Sequence, residues 1–223
     1  MPTWKLVVRS SLVQAAFLFL PFVAAETLRW VRGWSWFGLQ ILTLAVSVAL
    51  TQAKNPGLLR ARMEHSRPIE SFDKTFSRYF VLSTSALLII AGLDARWSWS
   101  QLSWKWFYIG VALQCIGLVP IVAASCINPF LEGIVRIQDD RGHTVITSGV
   151  YSVVRHPMYT GLMLERLAWA LTLGSLWAAI PAVVAALAFC FRALNEERVL
   201  RDGLPGYAEY MRRTPYRLIP GLW

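Results

Sequence analysis

The chain has little charge for its length. Of 223 residues only 16% are charged, while 56% are hydrophobic. A soluble domain carries about a quarter charged residues, so this composition excludes an ordinary water-soluble fold and points to a membrane protein. Cysteine is sparse too. Cys115, Cys126 and Cys190 lie in apolar runs at irregular spacing, which fits neither a disulfide framework nor a metal knuckle and predicts small buried hydrophobes. There is no internal repeat, no low-complexity tract and no Gly-rich strand-to-helix fingerprint, so a soluble Rossmann-type nucleotide site is excluded. The net charge of +9 does not form one basic face. It is spread over the loops between apolar runs, as beside an anionic leaflet, and nucleic-acid binding is excluded on that pattern.

What the chain has in abundance is long apolar runs. A bilayer core about 30 Å thick takes roughly 20 residues of helix. Runs near 6–28, 34–53, 76–93 and 104–127 each fit one span, and the longer block 157–194 fits two, turning at Gly174-Ser175. The prediction is an all-α, multi-pass helical bundle of about six spans, a single membrane domain over 1–223. Residues 1–127 supply four N-terminal spans; residues 128–223 supply a loop, a helical hairpin and a cytoplasmic tail. Lys5 and Arg9 before Val23-Ala24-Ala25 resemble a signal peptide, but a retained helix is expected. A short interfacial helix is expected around Leu58–Glu64, and His65 and His143 read as loop histidines.

Lys and Arg concentrate in the N-terminus, in 54–78, in 128–156 and in the tail, whereas the opposite loops hold only Arg29, Arg32, Arg96 and Lys105. By the positive-inside rule both termini are cytoplasmic. Trp30, Trp34, Trp36, Trp97, Trp99, Trp104 and Trp106 form an aromatic belt near the other face.

Chemistry concentrates in two places. In the stretch from Gly149 to Gly161, Pro157 suits the first position of a helix, with His156 at the N-cap and Arg155 just outside. Such a start offers free N–H groups and partial positive charge to an anion, and Gly161 allows close approach to the first turn. The alternative is an interfacial helix start with a snorkelling Arg155 and a belt residue, Tyr159. The second place is Asn195-Glu196-Glu197-Arg198-Val199-Leu200. Two antiparallel helices of nearly equal length return the chain to the level where it entered, so Glu196 and Glu197 should share a pocket with Arg155, His156 and Tyr159. The alternative is a solvated Glu197–Arg201 pair at a helix end. Tyr207, Tyr210, Arg212, Arg213 and Arg217 in the tail would either lid that pocket or anchor on lipid. Glu165 and Arg166, about two turns inside a span, read as an ion pair that fixes packing, although charge at that depth is often functional.

Together these motifs resemble the isoprenylcysteine carboxyl methyltransferase family and its bacterial relatives, which are related to the phospholipid methyltransferases. The resemblance rests on Gly149-x-Tyr151-x-x-x-Arg155-His156-Pro157-x-Tyr159-x-Gly161, on Glu196-Glu197-x-x-Leu200 and on Gly206-x-x-x-Tyr210, with Val150 where relatives commonly have proline. It implies that S-adenosyl-L-methionine sits within the hairpin and tail, lined by Tyr151, Arg155, His156, Pro157, Tyr159, Gly161 and a carboxylate from Glu196 or Glu197. Arg155, Glu197 and Arg213 are the expected catalytic residues, with Tyr207, Tyr210 and Arg212 on the substrate and no metal. The implied substrate is a lipid-like or amphiphilic acid entering from the bilayer, among membrane lipids, with phospholipid-amine or small-thiol methylation and a sterol-type reductase or non-catalytic protein as other readings. The expected compartment is the bacterial inner membrane, or the endoplasmic reticulum in a eukaryote.

Overall fold

The computed structural model describes residues 16–63, 70–100 and 102–223. Lys5, Arg9, His65 and the starts of the first span and of the signal-like segment lie outside the described residues. Among the described residues every regular element is a helix. Helix α1 (Ala16–Ala25) is followed by α2 (Val31–Lys54), the short α3 (Pro56–Met63), α4 (Ser71–Trp97) and α5 (Trp104–Ile127). A loop with two 3-10 turns, Asp139–Arg141 and Gly149–Ser152, leads to the hairpin α6 (Pro157–Leu173) and α7 (Ala179–Gly203), and α8 (Tyr207–Arg213) begins the tail. Helices α2, α4, α5 and α7 are long and apolar enough to cross a membrane, consistent with a multi-pass bundle. Helix α6 is shorter, at 17 residues, and carries Glu165 and Arg166.

The hairpin forms where the sequence places it. Gly174 takes a left-handed conformation (φ 81°) and its amide closes back onto Ala170 O and Leu171 O. That conformation is cheap only for glycine. The turn is pinned to α4 because Asp94 accepts hydrogen bonds from Ser175 Oγ (2.5 Å) and from the Ser100 amide (2.7 Å). The core lies between α2, α4, α6 and α7. There Trp36 packs edge-on against Trp169, with ring centroids 5.2 Å apart. Trp36 is therefore no belt residue: it is fully buried, while Trp34, Trp97, Trp99, Trp104 and Trp106 remain exposed on the helix surfaces. Cys115 likewise departs from expectation. It is an exposed free thiol on the outer surface of α5.

Helices α5 and α6 form the most extensive contact, through small residues. A Cβ on Gly161 would lie 2.3 Å from Gly117 O, and one on Gly110 would lie 3.0 Å from Ala168 O. Without lipid-versus-lipid hydrophobic gain, such backbone approach is what holds membrane helices together. Gly161→Ala should therefore cost about 1–3 kcal/mol through overpacking. Gly38, with no atom near its missing Cβ, supplies the control: Gly38→Ala should hold or raise the midpoint by helix propensity. Thermal unfolding in detergent measures both, and equal midpoints for the two variants would refute the close contact.

Candidate active site

The site is built where three segments meet at one end of the bundle. Pro157 opens α6 as its first residue, with His156 at the N-cap, because its missing N–H is needed by no intrahelical partner there. Just before it the backbone pairs with the tail. The Arg155 amide donates to Tyr216 O (3.0 Å) and the His156 amide to Arg217 O (2.9 Å). Thr160 Oγ1 adds a bond to Leu218 O at 2.7 Å. The tail is thus strapped across the helix start.

The two neighbouring glutamates do different work. Glu197 is buried and consumed: Oε1 accepts from Arg155 Nε at 2.7 Å and Oε2 from Arg217 Nε at 2.9 Å. Arg155 in turn gives Nη1 to Thr214 O and Pro215 O, each at 2.7 Å. Charge-assisted bonds of this kind are about twice as strong as neutral ones. Arg155–Glu197–Arg217 is a clamp joining the start of α6, the end of α7 and the tail. Glu196 points elsewhere. Tyr159 Oη donates to its Oε2, and His156, stacked parallel on Tyr159 with centroids 5.3 Å apart, stands between the two carboxylates.

Glu196 lines a cleft with about 80 Å³ of free space, together with Tyr151, His156, Tyr159, Tyr207 and Tyr210. Tyr210 Oη donates to Tyr151 O (2.7 Å), and Asn128 Nδ2 donates to Tyr151 Oη (2.9 Å). Burial pushes the Tyr151, Tyr207 and Tyr210 hydroxyls well above the ordinary phenol range, and for Tyr207 the charges of Glu196 and Glu197 add to it. These phenols stay protonated and neutral at any physiological pH. The far wall is held by Arg192, which pairs with Asp73 of α4 at 3.0 Å, donates to Gly133 O at 2.6 Å and lies over the Phe76 and Tyr159 rings. Asp73 also accepts the Val135 amide, at 2.8 Å. Through this pair the loop after α5 is tied to α4 and α7.

Of the residues expected from sequence, Tyr151, Arg155, His156, Pro157, Tyr159, Glu196, Tyr207 and Tyr210 surround this one cleft. The others lie outside it. Gly161 faces away, onto Gly117 and Ile121 of α5, so its small size serves helix packing. Arg212 and Arg213 are exposed and both pair with Glu209, three and four residues back on the same short helix. Glu197 sits behind the wall, and the Glu197–Arg201 alternative does not form, since Arg201 pairs with Asp202. Asp73 and Arg192 were overlooked in the sequence. The signal was there, because each is a charge inside or beside an apolar run. Arg62 of α3 was a second omission: it donates to Leu131 O (2.9 Å) and so braces the same loop.

Among the described residues no group of three or more His, Cys, Asp or Glu could hold a metal ion. Comparison with known proteins places the site in a recognisable segment. The chain is similar to the cobalt-zinc-cadmium resistance protein CzcN of Cupriavidus metallidurans, 33% identical over 115 residues, covering 50% of this chain and 51% of that one. It is similar to the delta(14)-sterol reductase TM7SF2 of Mus musculus, 33% identical over 97 residues, covering 42% of this chain but 23% of the reductase. It is also similar to a probable protein-S-isoprenylcysteine O-methyltransferase of Oryza sativa, 26% identical over 110 residues, 48% of this chain and 57% of the rice protein. The chain spans about half the length of the first and third of these relatives and about a quarter of the second. Residues 106–204, which run from α5 through both the Arg-His-Pro start and the paired glutamates, match the sequence model of the phospholipid methyltransferase family.

Proposed function

We propose that this chain is a membrane-embedded methyltransferase that uses S-adenosyl-L-methionine and esterifies a carboxylate of an amphiphilic molecule at the cytoplasmic face. The observation that carries the reading is Glu196: a carboxylate on the wall of an aromatic cleft, inside the segment that matches a methyltransferase family. The cofactor's chemistry fits the residues present. Glu196 and the Tyr207 and Tyr210 hydroxyls suit an ammonium group and ribose hydroxyls, and the tyrosine rings suit a planar base. The free space is smaller than the usual few hundred Å³ of a small-molecule pocket.

When bound, S-adenosylmethionine supplies an electrophilic methyl group open to in-line displacement. What the protein adds is positioning and the exclusion of water. Arg155 and Glu197 fix the start of α6 against the tail, so His156 and Tyr159 stand at set positions around Glu196. A carboxylate acceptor, ionised across the range about pH 6–9, needs no proton acceptor. This makes the chemistry economical with a wall that offers hydroxyl donors and two carboxylates, Glu196 and the Glu132 already paired with Arg136 and Arg141.

The sterol reductase relative motivates a second reading, reduction by a phosphorylated nicotinamide cofactor. That chemistry needs free cations for the 2′-phosphate. Arg136, Arg155 and Arg192 line the cleft but are committed to Glu132, Glu197 and Asp73. Calorimetry separates the readings: S-adenosylmethionine or its demethylated product should bind the detergent-solubilised protein at micromolar strength, and NADPH should not. Incubating membranes with methyl-labelled cofactor then tests the acceptor. The labelled lipid-phase product should release its label in mild alkali, as esters do, at a rate of formation that is flat between about pH 6 and 9. An alkali-stable product would replace the carboxylate with an amine or thiol.

A further inference from the structure

A second cavity, of about 490 Å³, lies between α1, α2, α4, α5 and α6. Its wall is mostly apolar, yet both Glu165 and Arg166 line it. The pair sits near the middle of α6, about 12 Å from its start at 1.5 Å per residue. Each is more than nine-tenths buried. A buried ion pair holds packing together when it bridges two elements and its remaining donors are satisfied. This one joins no second element by an ion pair among the described residues: Glu165 and Arg166 are neighbours on one helix, 3.5 Å apart. Arg166 Nε is buried without a hydrogen-bond partner there, and the guanidinium lies 3.6 Å above the Trp169 ring of α6 and 5.6 Å from the Phe80 ring of α4. Thr84 Oγ1, on the α4 wall of the same cavity, is also buried without a hydrogen-bond partner.

Charge at this depth is expensive, and such residues face a bundle interior where something polar meets them. The pair is neutral in sum, so a net charge on the occupant would go uncompensated. A hydroxyl suits both halves: its oxygen accepts from Arg166 and its proton goes to Glu165. The volume falls within the range of pockets that take small ligands. We propose that this cavity binds a hydrophobic, lipid-like molecule bearing an uncharged hydroxyl group, held at Glu165 and Arg166. The site stands apart from the cytoplasmic cleft, and its occupancy can be read without any turnover.

The test uses the full chain in phosphatidylcholine nanodiscs, with tritiated 1-hexadecanol and tritiated hexadecane as probes and empty nanodiscs as background. Hexadecanol should bind saturably at about one per protein, at least about tenfold more tightly than hexadecane, as expected for a hydrogen bond to a charged group. The variant E165M/R166M, which removes both charges and both hydrogen-bonding groups together and leaves no lone buried ion, should bind the two probes alike. Equal binding of alcohol and alkane to the unaltered protein overturns the proposal without recourse to any variant. So does an alcohol preference that survives in E165M/R166M.

Discussion

Glu197→Ala is expected to cost about 3–5 kcal/mol of stability, because it strands a buried arginine without its counter-charge. Arg155 is 5% exposed and, among the described residues, would keep the carbonyls of Thr214 and Pro215 as partners, while Arg217 would lose its ion pair with Glu197. The loss is directional as well as large. The clamp joins the start of α6, the end of α7 and the tail, so its failure should release the tail first. Limited proteolysis of the detergent-solubilised variant should cut within 214–223 at protease levels that leave the unaltered protein whole. The thermal midpoint should fall with it. Glu197→Gln, which keeps the shape and one acceptor oxygen for Arg155, should sit between the two. A Glu197→Ala protein that melts normally yet binds no S-adenosylmethionine would move Glu197 out of the supporting frame and into the binding surface itself.

How much of this was legible in the sequence differs residue by residue. The hairpin was readable because its signals are local: Pro157 can start a helix, Gly174 can end one, and both act through their own backbone. The grouping of His156, Tyr159 and Glu196 followed from helix rise alone. Which glutamate faces the cleft did not, because adjacent positions on a helix differ by about 100° and the sequence carries no reference direction. Gly161 left two readings open for a related reason. A small residue permits close approach, but only the structure says whether the neighbour is a ligand or, as here, the backbone of α5 at Gly117. Asp73 and Arg192 lie 119 residues apart and meet only in three dimensions. The surface pairing of Arg212 and Arg213 was legible in the sequence. Glu209 stands three and four residues before them, the spacing at which helical side chains pair. Their charge was spoken for on the surface before any pocket could use it.

Glu196→Gln should lower S-adenosylmethionine affinity or turnover by roughly ten- to a hundred-fold, the size of one lost charge-assisted contact of about 1.5–3 kcal/mol. Its effect on stability should be small. Unlike Glu197 it forms no ion pair with an arginine among the described residues, and its principal partner is the Tyr159 hydroxyl, which can donate to the amide oxygen of glutamine as well. The neighbouring glutamates therefore predict opposite phenotypes: one folded and poorly active, the other poorly folded. Arg212→Ala/Arg213→Ala should keep near-normal turnover, since both side chains are exposed and paired with Glu209 outside the cleft. Arg96→Ala, at the opposite end of α4 where it meets Glu26, should do the same. Kinetics with the labelled cofactor, alongside a melting curve for each variant, check all of these at once. If Glu196→Gln binds the cofactor and turns over normally while the arginine pair proves essential, then the ligand sits on the outer face of α8 and the cleft beneath it is only a packing defect.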